Sequence, residues 1–226
     1  MAISDEWEWF CGVNSTDIDT NGQVWTTDNA TTKDDILGNS CLVDAIDTVA
    51  HVAFIVIGLG LILILAYCTR LKRAQTQHLI RFPGHGVRWL FLCGLVIILA
   101  GSVGEGILTD ASYGDSQPSQ PHLYLPQCCA LIATLVCMTT YQYMEVWQAV
   151  HMQWLIVLYW ICAFVTQILR LFSLEYQQVE TLVEVDSLVE VARFDFTLAI
   201  LVFYVLLIVV DLYAIIIKVS AVCSLP

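Results

Sequence analysis

The sequence predicts an all-α integral membrane protein, built as a bundle of five transmembrane helices. The chain of 226 residues is 58% hydrophobic and only 13% charged, has a mean hydropathy of +0.73, and contains five long apolar stretches. A soluble globular domain carries about 25% charged residues, so this composition excludes that class of protein. The net charge of −12 also argues against nucleic-acid binding, which requires a basic surface.

Each apolar stretch is long enough to cross a hydrocarbon layer of about 30 Å as a helix that rises about 1.5 Å per residue. Pro83, Gly84 and Gly86 precede the second stretch, and they predict a turn there because proline and glycine do not easily continue a helix. The outward surfaces of the spans need membrane lipids or partner helices. The predicted spans are residues 49–68, 87–108, 123–143, 152–172 and 196–217.

The distribution of basic residues predicts an extracellular N-terminus and a cytoplasmic C-terminus. In that orientation six of the nine Lys and Arg residues are cytoplasmic, in agreement with the positive-inside rule. Residues 1–48 then form an extracellular segment, residues 49–218 the membrane domain, and residues 219–226 the start of a cytoplasmic linker. The cytoplasmic set is Arg70, Lys72, Arg73, Arg81, Arg88 and Lys218, and the outer set is Lys33, Arg170 and Arg193.

An extracellular location would allow four residues of the N-terminal segment to be modified, two by glycosylation and two by disulfide formation. Asn14 and Asn29 each begin an Asn-X-Ser/Thr sequon, which predicts glycosylation in the secretory pathway. Cys11 and Cys41 would lie in an oxidising environment, which favours a disulfide between them, with two free thiols as the alternative.

Three ionisable residues, Arg88, Glu105 and Asp211, lie within or at the ends of the apolar stretches. An ionisable group at membrane depth is costly and usually faces protein rather than lipid. Arg88 and Asp211 are both predicted near the inner boundary, where they can pair, whereas Glu105 lies near the outer end of its span. We expect these groups to clamp helices together, because Glu105 and Asp211 are too far apart to form one proton relay.

His51 and His122 are the candidate ligands of a membrane redox protein, in which facing helices each supply an axial imidazole to haem. No second histidine pair lies beneath them, so interfacial hydrogen bonding is the simpler interpretation, and no metal or cofactor is expected. The phosphate-binding pattern GxxxxGK[ST] does not occur in the sequence. The chain itself is therefore predicted to be non-catalytic.

Several motifs together resemble the N-terminal membrane domain of the sulfonylurea receptors, the regulatory ABC-type subunits of ATP-sensitive potassium channels. The most specific are Phe82-Pro83-Gly84-His85, Arg88-Trp89, and Glu105-Gly106-Ile107-Leu108 with Asp110. Further matches run in order along nearly the whole chain. They are Cys11-Gly12, Asn39, Cys41, Val43-Asp44-Ala45, His122-Leu123-Tyr124, Pro126, Tyr159-Trp160, Ala163-Phe164, Thr166 and Arg193-Phe194.

The resemblance implies a non-catalytic regulatory domain of a plasma-membrane protein, one that anchors an ABC core to the pore subunit of an inward-rectifier potassium channel. Such a domain would assist surface delivery of the channel and modulate its gating. A full-length parent would bind ATP or ADP with magnesium, and paired cysteines at positions 11 and 41 are also implied. The first span would pack on the outer helix of the channel. The implied channel contacts are Phe54, Gly58, Leu61, Arg81, Phe82, His85 and Glu145.

Two features bear on this interpretation. The outer segment 174–191 is longer and more acidic than expected for a sulfonylurea receptor. The corresponding domain of a multidrug-resistance-associated exporter is an alternative, in which the domain would support folding and trafficking of a pump. The FPGH, RW and EGILxD motifs argue against the exporter.

Overall fold

The computed structural model describes Phe10 and residues 40–71, 84–112, 121–147, 153–180 and 188–223. These residues form five long α-helices and one 3-10 turn, so the predicted all-α fold is confirmed. The helices are α1 (Ser40–Leu71), α2 (His85–Ser112), α3 (Leu125–Trp147), α4 (Gln153–Glu180) and α5 (Leu188–Cys223), and the 3-10 turn Pro121–Leu123 precedes α3.

Four of these helices are long and apolar enough to cross a membrane. The qualifying segments are Cys41–Ile64, His85–Ala111, Gln153–Leu174 and Ala192–Ile217, which lie in α1, α2, α4 and α5. Helix α3 coincides with the predicted third span, but it carries more polar side chains and does not qualify. The count of five spans and the orientation of the termini therefore stay predictions.

Helix α1 begins at Ser40, well before the start that hydropathy predicts for the first span. Hydropathy excluded the first turns of α1 from the predicted span because they contain Asp44 and Asp47. These two residues were expected to face water in the N-terminal segment. Both side chains are buried against other helices instead. The turn predicted before α2 is present: Gly84 has φ +80°, a conformation that favours glycine, and its carbonyl accepts the Arg88 N–H at 2.9 Å.

The five helices pack as a ring. Helix α3 lies between α1 and α2, α5 lies between α2 and α4, and α4 closes the ring against α1. Large side chains fill the centre, where van der Waals packing holds helices together because lipid offers no hydrophobic driving force between them. The most buried of these side chains are Trp160, Tyr141, Tyr204, Leu95, Leu99, Met144 and Ile200.

The absence of a side chain at Gly106 brings α2 against the turn that precedes α3. A Cβ atom at this position would lie 2.8 Å from the Leu123 carbonyl oxygen and 3.1 Å from Tyr124 Cα. These are backbone atoms, so a rotamer change cannot relieve the overlap. By contrast, a Cβ atom at Gly104 on the same helix meets nothing within 4 Å.

We expect Gly106→Ala to destabilise the protein by about 1–3 kcal/mol, the usual cost of overpacking. Gly104→Ala is the matched control, and it should be neutral or stabilising by up to about 1 kcal/mol because alanine is the better helix former. Thermal unfolding of the two variants in detergent measures the difference. Equal melting temperatures would show that α2 and the 3-10 turn do not pack this closely.

Candidate functional site

A buried ion pair joins α2 to α5 at one end of the bundle. The Arg88 guanidinium donates from Nε to Asp211 Oδ1 at 2.8 Å, and its Nη2 lies 2.8 Å from the same oxygen. Both side chains are at most 1% exposed. The sequence indicated this pairing because both residues lie near the same predicted boundary, and an isolated charge at that depth would be costly.

Helices α3 and α4 add further contacts to this ion pair, and we call the whole cluster the inner network after the membrane side predicted for it from the sequence. The Tyr141 hydroxyl donates to Asp211 Oδ2, and the Arg88 guanidinium carbon lies 4.5 Å from the centroid of the Tyr141 ring. Trp160 donates its indole N–H to the Tyr141 hydroxyl at 3.3 Å, and the Gln153 side-chain amide donates to the Asp211 carbonyl at 3.3 Å. The network thus ties four helices together with one positive and one negative charge. Its buried position suits a structural clamp.

His85 and Glu145 form a second contact at the same end, one turn beyond the Arg88–Asp211 pair. His85 Nδ1 lies 2.6 Å from Glu145 Oε1, which joins the first residue of α2 to the last turn of α3. The Glu145 side chain is 7% exposed and that of His85 is 32% exposed. Both residues belong to the implied channel-contact set, and His85 is the one that reaches the surface.

The opposite end of the bundle contains a network between α1 and α4 that is centred on Asp47, and we call it the outer network after the membrane side predicted for it from the sequence. The Thr166 hydroxyl donates to Asp47 Oδ1 at 2.6 Å, and the Gln167 amide donates to Oδ2 at 3.2 Å. His51 Nε2 lies 3.3 Å from Oδ1, and Asp44 Oδ1 lies 3.2 Å from Arg170 Nε. This network was not predicted from the sequence, because the two aspartates and Arg170 were expected on the extracellular side. A detectable signal was the helical spacing of positions 44, 47 and 51, which places them on one face.

Glu105 holds α2 to α5 near the same end of the bundle as the outer network. Its Oε1 accepts a hydrogen bond from the Thr109 hydroxyl at 3.0 Å and lies 3.3 Å from Arg193 Nη2. As predicted from the sequence, Glu105 and Asp211 lie in separate clusters.

The two histidines proposed as haem ligands are engaged in other contacts. His51 Nδ1 lies 3.0 Å from the Tyr159 hydroxyl, and its Nε2 faces Asp47, so neither ring nitrogen points into open space. His122 lies in the 3-10 turn, where its ring centroid is 6.3 Å from that of Phe10. Burial lowers the pKa of His122, which favours its neutral form. Within the described residues, no group of three or more His, Cys, Asp or Glu side chains is arranged to hold a metal ion.

Of the three residues of α1 that the resemblance implied as channel contacts, two are buried inside the bundle and one is partly exposed. Phe54 is 6% exposed and stacks on Tyr159 with a centroid distance of 3.8 Å, and Gly58 faces Val136. These two positions lie inside the bundle and are not available to a partner, whereas Leu61 is half-buried. The sequence could not separate the faces because α1 is apolar all around after His51. Its exposed face carries Val49, Val52, Val56, Leu59, Leu63 and Tyr67.

Other predicted site residues lie outside the described residues. They include the two members of the channel-contact set that precede α2 in the sequence, both sequons and one cysteine of the predicted disulfide. The disulfide therefore stays a prediction, although Cys41 is described as a half-buried residue at the start of α1. The residues concerned are Arg81, Phe82, Asn14, Asn29, Cys11 and residues 181–187 of the acidic segment.

Comparison with known proteins shows that part of the chain is similar to an ATP-binding cassette protein. Over 137 residues, or 60% of its length, the chain is 29% identical to ATP-binding cassette sub-family C member 8 of Cricetus cricetus and of Rattus norvegicus, and to the human protein to the same degree. This part of the chain is homologous to a sulfonylurea receptor. The resemblance that the motifs indicated is confirmed. The matched region makes up 8% of the length of these relatives, and no protein-family model matches the chain.

Proposed function

We propose that the chain is a regulatory membrane domain of a sulfonylurea-receptor-like ABC protein, and that it binds the pore subunit of an inward-rectifier potassium channel. The homology to ATP-binding cassette sub-family C member 8 carries this proposal. In this role the domain anchors the ABC core of the same polypeptide, supports delivery of the channel to the plasma membrane and modulates its gating.

The exposed face of α1 is the surface that we assign to the channel. Helix α1 packs on α3 and α4 through one side, and its opposite side presents branched aliphatic residues such as Val56 and Leu63. A transmembrane partner helix or lipid can cover such a surface. This face replaces Phe54 and Gly58 as the candidate contact, because those two positions are covered by other helices of the bundle.

The end of the bundle that contains His85 and Glu145 is the second assigned contact. His85 joins α2 to α3 there and remains partly exposed. The inner network lies one turn away, so a partner that displaced His85 would act directly beside the Arg88–Asp211 clamp. This arrangement supports modulation through the packing of α2, α3 and α5.

We assign no nucleotide step to this chain. The sequence contains no GxxxxGK[ST] pattern, and the two buried networks place their charges against each other. ATP or ADP with magnesium, which we expect for a full-length parent, would bind in another part of that parent.

Co-purification with an inward-rectifier pore subunit tests the proposal, with single-channel open probability recorded in the same membranes. Val56→Trp on α1 should weaken co-elution and shift open probability back toward that of the channel alone, because tryptophan adds bulk to the contact. Val209→Trp on α5 is the matched control, since Val209 is similarly exposed, at 57% against 66% for Val56. Separate elution of the unaltered chain with unchanged gating would overturn the proposal and favour the exporter-type domain.

The extracellular N-terminus and the Cys11–Cys41 disulfide belong to the same proposal. Glycosidase treatment of membranes should shift the mobility of the wild-type chain and leave an Asn14→Gln/Asn29→Gln variant unchanged. An unmodified wild-type chain would count against the outer location of the N-terminal segment. Alkylation with and without reduction reports on the disulfide.

A further inference from the structure

Four aromatic rings form a continuous row across the bundle, from α1 through α4 to α5. Phe54 of α1 stacks on Tyr159 of α4 with a centroid distance of 3.8 Å and an interplanar angle of 18°. Tyr159 and Trp160 are neighbours in α4, and their ring centroids are 4.9 Å apart. The Trp160 ring in turn lies 5.6 Å from the ring of Tyr204 on α5. All four residues are buried, so the row lies within the core.

The row is attached to the inner network at Trp160. The indole N–H of this residue donates to the Tyr141 hydroxyl at 3.3 Å, and that hydroxyl donates to Asp211 Oδ2. Asp211 is paired with Arg88. A series of direct contacts therefore leads from Phe54 on α1 to the ion pair that joins α2 to α5.

Two properties make this series of contacts stiff. Buried aromatic rings are large and close-packed, so one ring cannot move without opening a gap or forcing its neighbour to follow. Trp160 is fully buried, so movement of its indole away from Tyr141 would lose a hydrogen bond that no water can replace. A displacement at one end of the row is therefore costly at the other end.

We propose that α1 is energetically coupled to the inner network through Tyr159 and Trp160. A shift of α1 that displaces Phe54 changes the packing of the Tyr159 ring, and Trp160 follows because the two residues are adjacent in α4. The Trp160–Tyr141 hydrogen bond then transmits the change to Asp211. This route is separate from the outer network, which attaches the first turns of α1 to α4.

The coupling gives a partner on the exposed face of α1 a means of acting on the other helices. Under the proposed function, on which this consequence alone rests, a channel that shifts α1 would alter the packing around Arg88 and Asp211 without touching either residue. The change would reach the end of the bundle that contains His85 and Glu145. The coupling itself is a property of the chain and does not require the channel.

A double-mutant cycle in the 226-residue chain, without a channel, tests the coupling. Phe54→Leu removes the stacked ring, and Tyr141→Phe removes only a hydroxyl. The loss of melting temperature in the double variant should be about 2–4 °C smaller than the sum of the single losses, because the first change already disturbs the contact that the second one removes. Phe54→Leu with Thr197→Val is the matched control, since Thr197 is also buried and its hydroxyl donates to the Arg193 carbonyl of its own helix. The losses of the control pair should add.

Two further variants identify the route. Trp160→Phe keeps an aromatic ring but removes the indole N–H, so the coupling between Phe54 and Tyr141 should disappear in that background. Tyr159→Phe keeps the stacked ring and loses only the hydroxyl that contacts His51, so the coupling should remain in that background.

Hydrogen–deuterium exchange reports on each helix separately. Phe54→Ala should accelerate exchange around Asp211, whereas Val56→Ala, which alters the exposed side of the same helix, should not. Additive losses of melting temperature, a coupling that persists in Trp160→Phe, or unchanged exchange around Asp211 in Phe54→Ala would each overturn the proposal. None of these experiments involves the channel, so such a result would leave the proposed channel contact standing.

Discussion

Arg88→Met is expected to destabilise the bundle by about 3–5 kcal/mol, because it leaves the buried carboxylate of Asp211 without its counter-charge. The Asp211 side chain is fully buried, so water cannot compensate for the missing guanidinium. Tyr141 still donates to Asp211 Oδ2, but a single neutral donor does not balance a full charge. Unfolding in a detergent denaturant series, followed by tryptophan fluorescence, measures the loss.

The double variant Arg88→Met/Asp211→Leu separates loss of the ion pair from general damage to the core. Replacing both members of a buried pair with apolar side chains of similar size is often neutral or stabilising. The double variant should therefore recover most of the stability that Arg88→Met loses. If the two variants unfold alike, the Arg88–Asp211 interaction does not carry the effect, and altered packing around the substituted position on α2 would explain it.

The predictability of Arg88–Asp211 from the sequence has a physical basis. Arg88 and Asp211 each lie in an apolar stretch that contains few other charged residues. Because burial of an unpaired charge costs so much free energy, each residue has few possible partners. The all-helical fold was predictable for a related reason, since backbone groups in lipid must be satisfied within the segment. Contacts between charged residues within a membrane are therefore easier to predict from sequence where polar residues are rare.

The outer network was not predictable by the same argument, because Asp44 and Asp47 lie beside an acidic segment. Charge in such a setting is usual in water, and nothing local distinguishes a buried aspartate from a solvated one. Their partners, Thr166, Gln167 and Arg170, are more than a hundred residues away in the sequence. Only the common helical face of positions 44, 47 and 51 could have indicated that α1 begins early.

The partner-facing side of α1 was unpredictable for the opposite reason. From Val52 to Cys68 the helix is apolar on every side, so hydropathy contains no information about which side packs. The packing itself decides the matter: Phe54 stacks on Tyr159 of α4, and Gly58 accommodates Val136 of α3. The family resemblance could be predicted from the sequence, because its motifs depend on residue identity rather than on the orientation of a helix.

Asp47→Leu is expected to destabilise the protein by about 3–5 kcal/mol, comparable to loss of one partner from a buried ion pair. Leucine removes the acceptor for Thr166 and Gln167 and the carboxylate that faces His51 Nε2, and all three of these partners are buried. Asp47→Asn should cost less, because its amide oxygen still accepts from Thr166. Asp195→Leu on α5 is the control, since Asp195 is exposed and its replacement tests the chemical change without the network.

The same variant distinguishes a local effect at α1 from a general loss of folding. The outer network is a polar attachment of α1 to α4, so Asp47→Leu should loosen α1 before the rest of the bundle, whereas Arg88→Met acts on α2, α3 and α5. Hydrogen–deuterium exchange, read helix by helix in detergent, should show faster exchange in the first turns of α1 for Asp47→Leu and unchanged exchange around Asp211. Uniform exchange along all five helices would mean that the outer network stabilises the whole bundle rather than the position of α1.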